Sequence, residues 1–203
     1  MALVLFTLIG DVVGSRRLPD RPRAQSSLGL ELAEVNRLIT PRQPMEPTVG
    51  DEFQGAFDTL SEALLCGLLV RLALLPLIDV RCGVGLGEIT VHDGSRRPLL
   101  QDGPGWWSAR EALETLSAPR RTSGRTWYVG EGAGPTNAYL LCRDQLIDRL
   151  SDRGRRMLRM ALLGQTQQQI AEIEGISKSA VSQQFARGVG AIRDAQVTFG
   201  REE

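Results

Sequence analysis

Between Thr166 and Val189 the chain reads TQQQIAEIEGISKSAVSQQFARGV, a stretch that few folds can accommodate. Thr166 can cap a helix, and Gln169 three residues on can close a capping box. Ile170 and Ile173 are placed to face inward, and Ala171 is small where a second helix would cross closely. Gly175 follows at the turn, where a positive φ is needed. Ile176 plugs that turn, Ser177 can cap the second helix, and Val181, Phe185 and Val189 form its buried stripe. This leaves Lys178, Ser179, Ser182, Gln183 and Arg187 facing out. Short polar groups and cations on one helix are what the major groove of DNA requires of a recognition helix. The preceding segment, LSDRGRRMLRMALLG (Leu150–Gly164), supplies Met157, Leu158, Ala161 and Leu162 as supporting core. A helical hairpin used for dimerisation is the plainer reading of this pattern; the turn chemistry favours DNA binding.

Upstream the periodicity changes. Leu3–Ile9 is a nearly continuous apolar run, as expected of a strand covered on both faces. Leu28, Leu32, Val35 and Ile39 recur at helical spacing, and that helix ends at Thr40-Pro41. A short strand before Gly50 and another through Phe53–Phe57 flank Gly50-Asp51, which reads as a hairpin turn. Leu60, Leu64, Leu68 and Leu72 share a helical face with Leu65 and Leu69 beside them, so this helix is apolar nearly all round until Pro76 stops it. In VRCGVGLGEITV (Val80–Val91), Val80, Cys82, Val84 and Leu86 alternate with Arg81, Gly83, Gly85 and Gly87. Glycines along one strand face leave room for something to approach the backbone closely.

Strand, helix, strand, strand, helix, strand is the split βαβ order of a ferredoxin-like (βαββαβ) domain. A short helix at WWSAREALETL, a Pro-, Gly- and Arg-rich joint at Ala118–Pro135 with one strand at Thr126–Val129, and a helix from Thr136 to Leu150 complete the reading. The expected fold class is α+β, followed by an all-α helix-turn-helix domain. Residues 1–135 form the first domain, 136–150 a connecting helix and 151–203 the DNA-binding domain.

Two apolar runs end in Gly-Asp, in TLIGDVVGSRR and in VGDEFQGAF. Either aspartate alone reads as a turn residue. In a ferredoxin-like sheet, however, the strand ending at Asp11 neighbours the hairpin carrying Asp51, so the two carboxylates can converge. With a backbone carbonyl they suit Mg²⁺, whose shell phosphate oxygens complete. Arg16, Arg17, Arg21 and Arg23 beside Asp11 read either as a solvated loop or as a phosphate clamp. Trp106 and Trp107 read as core packing ahead of a base-stacking platform.

Composition narrows the chemistry. A single histidine, His92, placed in a polar loop, removes most His-based catalysis and His-liganded zinc. The three cysteines have no ligand-like spacing and read as structural thiols in a reducing compartment. Lys+Arg and Asp+Glu are 24 each, which excludes a nucleic-acid-binding surface throughout; from Ser151 onward eight cations face six anions, which permits a DNA-binding tail. No positive charge precedes the first apolar run, and no stretch approaches ~20 apolar residues, so neither a signal peptide nor a membrane span is expected, and the cytoplasm is the expected location.

The stretches TLIGDVVGS, VGDEFQGAF, RCGVGLGEI and GPGWWSAREAL resemble, in order, the motifs of class III nucleotide cyclases and, more distantly, of GGDEF-type diguanylate cyclases, over Leu3–Leu116. The last fifty residues resemble the fourth-region helix-turn-helix of sigma factors. The whole chain resembles the SatD family, bacterial proteins described as transcription regulators. The resemblance implies Mg²⁺ or Mn²⁺ held by Asp11, the backbone of Val12, and Asp51. It also implies phosphate binding around Gly14, Ser15, Arg16 and Arg17, and a transition-state arginine at Arg110. The chain departs from the cyclase pattern where Trp106 stands in place of a ribose-steering asparagine, and Pro47 and Gly103 in place of the purine-selecting lysine and aspartate. The expected function is therefore a DNA-binding regulator whose first domain binds a metal-nucleotide or related phosphate ligand, with DNA, a homodimer partner and RNA polymerase as expected partners. An active cyclase or nucleotidyl transferase carrying a helix-turn-helix is the alternative, and an interaction protein with a palm-like dimer scaffold is a third.

Overall fold

The computed structural model describes residues 3–118 and 124–200. Among the described residues six strands are formed: β1 (Leu3–Val12), β2 (Gln43–Pro47), β3 (Glu52–Phe57), β4 (Val80–Asp93), β5 (Leu100–Asp102) and β6 (Thr126–Val129). The helices among the described residues are α1 (Arg21–Ile39), α2 (Leu60–Leu74), α3 (Pro104–Ser117), α4 (Ala133–Arg149), α5 (Asp152–Leu162), α6 (Gln167–Glu174), α7 (Lys178–Gln184) and α8 (Gly190–Phe199). Strand order β2-β3-β1-β4 with antiparallel neighbours is the ferredoxin-like arrangement. The strand expected at Thr126–Val129 is β6, and it adds to β4 in parallel; β5, which no feature of the sequence pattern marks, pairs with the far end of β4. Residues 119–123 of the expected joint lie outside the described residues.

The glycine face of β4 meets the chain's own helix. A β-carbon at Gly85 would lie 2.6 Å from the Gly105 carbonyl oxygen, and one at Gly87 would lie 2.5 Å from the Gly105 amide, so α3 rests directly on the strand backbone. Thr7 Oγ1–H donates to the same Gly105 carbonyl (2.7 Å) and pins the first turn of α3 to β1. Trp106, Ala109 and Leu113 of α3 form a small core here with Leu5, Ile9 and Ile89.

On the opposite sheet face α1, α2 and α4 cover the main core. Leu68 and Leu72, on the far side of α2, join Ile147, Met157, Leu158, Ile170, Val181 and Val189 in a second core. That double duty explains why α2 is apolar on nearly every face: it serves as a wall for both cores.

The open edge of β6 is closed by side chains. Asn137 accepts from the Tyr128 amide and donates to its carbonyl, both at 2.8 Å, and Asp144 accepts from the Arg125 and Thr126 amides at 2.7 Å. α4 thereby caps these backbone groups along the β6 edge, where a further strand would otherwise pair.

Three sequence expectations need correction. His92 lies in the exposed end of β4 instead of a loop, because the β4–β5 pairing extends that strand. Arg21 and Arg23 belong to the first turn of α1, whose cap Asp20 accepts from the Arg23 amide, so the run from Arg16 to Arg23 is not one loop. Ile173 is 61% exposed, because the i+4 partner of the buried Ile170 is Glu174, whose carboxylate is held against α5 by Arg156 at 2.7–2.8 Å.

Candidate functional site

The end of β1, the turn after it and the β2–β3 hairpin enclose an open cleft of about 490 Å³. It brings together seven of the expected residues: Asp11, Val12, Gly14, Ser15, Arg16, Arg17 and Asp51. Gly14 (φ 67) turns the chain out of β1 into a single 3-10 turn over Ser15–Arg17, and this aims Arg16 and Arg17 along the cleft. On the hairpin, the Thr48 amide donates to the Glu52 carbonyl (2.8 Å) across a turn with Gly50 at φ 74, which holds Asp51 at the tip. A neighbouring cleft of about 430 Å³ shares Val12, Ser15 and Asp51 and includes Arg21; Arg23 lies beyond, against Leu77 and Ile78.

The remaining wall of the cleft is Arg81, which by its sequence pattern is an ordinary strand residue. Arg81 stands opposite Asp11 in the β1–β4 register and donates from Nε and Nη2 to its two carboxylate oxygens, at 2.6 and 2.8 Å. Those hydrogen bonds, against the cost of burial and helped by the charge of Asp51, hold the guanidinium above the usual arginine range. Arg110 behaves in parallel: from α3 it donates to both carboxylate oxygens of Glu52, at 2.7 and 2.8 Å, and Glu52 is the β3 residue opposite Asp11. Arg110 does not line the cleft. Two bidentate pairs thus lie side by side on the α3 face of the sheet.

This arrangement does not fit a resident divalent ion. Both oxygens of Asp11 are engaged by a guanidinium, and among the described residues no three His, Cys, Asp or Glu side chains are gathered as a metal cluster. Asp51 alone offers a carboxylate to the cleft.

Trp106 is buried in the α3 core, whereas Trp107 is 61% exposed with its indole N–H donated to Asp102 (2.7 Å). Cys66 and Cys82 are buried, and burial pushes the Cys66 thiol up to about 12; Cys142 is exposed on α4. Cys66 and Cys82 match the expectation of inert structural thiols.

In the tail, Thr166 and Gln169 close the expected capping box, Gly175 takes φ 65 at the turn and Ser177 caps α7. Lys178, Ser179, Ser182, Gln183 and Arg187 are all exposed, and among the described residues no carboxylate pairs with Lys178 or Arg187. α7 is shorter than the pattern implied. After Gln184 the chain passes through a wide turn over Phe185–Val189, where Gly188 takes φ 133, so Arg187 sits on the bend at the C-terminal end of the exposed stripe. The bend sends α8 back toward α4, where Gln196 accepts from the Tyr139 hydroxyl (3.0 Å) and Phe199 stacks on the Tyr139 ring.

The SatD family model matches residues 5–121, more than half of the chain. The protein belongs to the SatD family. The model of sigma-70 region 4 matches residues 140–192, which contain α5, α6 and α7. No curated protein matches this SatD chain. Solved structures similar to it include the adenylyl cyclase CyaB from P. aeruginosa, at 15% identity over 57% of this chain and 73% of that one, with a TM-score of 0.46. A bacterial light-regulated adenylyl cyclase is similar at 14% identity over 63% and 76%, TM-score 0.49. The guanylyl cyclase Cya2 is similar at 16% over 57% and 71%, TM-score 0.44. Among the described residues no helix is long and apolar enough to cross a membrane.

Proposed function

We propose that this SatD protein is a DNA-binding transcription regulator whose first domain senses a phosphate-bearing ligand, a nucleotide or a related compound. One observation carries the reading: a single cleft gathers Asp11, Asp51, the Gly14 turn and three arginines from separate segments, in a chain that also carries an exposed α7 stripe. Phosphate oxygens suit that lining because guanidinium forks bind them bidentately. Polar residues on a capped helix suit base edges in the major groove.

A route between the two halves supports ligand sensing. Two residues before Arg81 on the same chain segment, Asp79 accepts from Arg71 of α2 and from Arg125. Arg71 also pairs with Asp148 on α4, the helix that leads into α5. A shift at Arg81 therefore acts on the residues that anchor α2 and α4. Pairing of two copies on DNA, contact with RNA polymerase and the division near residues 135 and 150 belong to this proposal.

The test uses the full chain. Each nucleoside triphosphate should raise the melting temperature without releasing pyrophosphate; release of pyrophosphate would favour the enzymatic alternative, and no response to any phosphate compound would sink the sensing role. On DNA, Gln183→Ala should cost ~1–3 kcal/mol on the preferred site and little on random sequence. Arg187→Ala should weaken both and flatten the log-log salt dependence by about one unit. If neither substitution changes DNA affinity at low salt, α7 does not enter a groove.

A further inference from the structure

We infer that the cleft takes its phosphate ligand free of divalent metal, with Arg81 supplying the positive charge that a metal ion would bring. This rests on the reading of the cleft as a phosphate site.

Mg²⁺ demands a near-octahedral oxygen shell, which proteins anchor with one or two carboxylates beside waters and substrate phosphates. The Arg81 fork occupies one lone pair on each Asp11 oxygen and sets a positive charge where an ion chelated by both oxygens would sit. Arg81 is not a loose surface side chain that an ion would easily displace. It and Asp11 are only 25% and 16% exposed, and its neighbours Val80 and Cys82 are buried in the main core. The strand that carries it is held on its other face too, because α3 lies directly on the backbone of Gly83 and Gly85. For a metal to reach Asp11, the guanidinium would have to leave its partner and stay within range of a dication.

Charge points the same way. Asp11 and Asp51 are outnumbered by Arg16, Arg17 and Arg81, so the lining is already positive by one unit. A dication alone raises that excess, whereas a phosphate group is attracted to it. Asp11 is then a positioning residue: it takes the Nε–Nη2 edge of Arg81 and fixes the guanidinium plane, so that the remaining Nη hydrogens, with Arg16 and Arg17, meet the phosphate oxygens. Free Mg²⁺ competes with the protein for such a ligand instead of bridging to it.

The experiment measures binding of inorganic triphosphate to the full chain, by calorimetry and thermal shift, in EDTA and then with Mg²⁺ in excess over triphosphate. Binding is expected in EDTA and should weaken about tenfold in Mg²⁺, roughly the loss of one charge-assisted contact. Arg81→Gln should weaken binding in EDTA by a similar factor. The same substitution unmasks Asp11 beside Asp51, so Mn²⁺ alone should now raise the melting temperature, as it should not in the parent protein. Triphosphate that binds only when Mg²⁺ is present overturns the inference and leaves the phosphate site standing. Triphosphate and nucleotides that bind under neither condition overturn the phosphate site itself. The parent-protein arms decide this even where the variant fails to fold.

Discussion

Replacing Arg71 by methionine is expected to destabilise the protein by about 3–5 kcal/mol, the cost of removing one partner from a buried ionic cluster. Arg71 is 3% exposed; it donates to Asp79 at 2.8 Å, pairs with Asp148 and lies 4.0 Å from the fully buried Asp144. With Arg125 and Arg143 it balances those three aspartates, so its loss leaves one uncompensated negative charge in the wall between α2, β4 and α4. The pH dependence separates this cause from a simple packing loss. Burial raises the Asp79 carboxyl, but the hydrogen bonds and charges of Arg71, then of Arg125, outweigh it and hold the group below its ordinary 3.8. A carboxyl lowered on folding contributes stability in full above its unfolded value and loses it as pH falls through the folded one. In the variant, burial is less opposed, so Asp79 no longer resists protonation. The deficit measured by urea unfolding should therefore be largest near neutral pH and shrink below about pH 4. A deficit that does not change with pH would assign the loss to packing alone.

Gly85→Val is the second large effect. Valine is among the best strand formers, and β4 is a long central strand, so propensity alone favours the change. The contact surface opposes it: a β-carbon at Gly85 would meet the Gly105 carbonyl oxygen at 2.6 Å and the Ser108 carbonyl carbon at 2.7 Å, both of them backbone atoms that cannot rotate aside. α3 must lift, which removes Trp106, Ala109 and Leu113 from their core and draws Arg110 away from Glu52. A loss of at least about 3 kcal/mol is expected, at the upper end of overpacking costs. Near-UV dichroism should report the displaced Trp106. Gly29→Ala on α1, where nothing lies within 4 Å of the new β-carbon, is the control and should be neutral or stabilising. Comparable stability of the two variants would show that α3 does not bear on the strand.

The contrast between these two glycines also marks where the amino-acid order stops being informative. The capping box of Thr166 and Gln169, the αL turn at Gly175, the 3.6-residue stripe of α2 and the alternation of β4 were all legible in advance. Each is set within one or two turns of chain, by caps and side-chain period. Even there the resolution is one residue: Ile173 reads as buried, yet the helix turns Glu174 toward α5. The gathering of Asp11, Asp51 and the Gly14 turn into one cleft could be anticipated too, because strand order follows from the βαββαβ pattern.

The charge pairs could not. Arg81 reaches Asp11 across 70 residues of sequence, and Arg110 reaches Glu52 across 58. Both pairings depend on strand register and on how close α3 rides over the glycines, and a slip of one residue would turn Arg81 to the opposite face of the sheet. A pattern of periods names which residues share a face; only packing fixes which of them meet. So the sequence brought two aspartates to one end of the sheet, and the folded sheet set a guanidinium against one of them, Asp11.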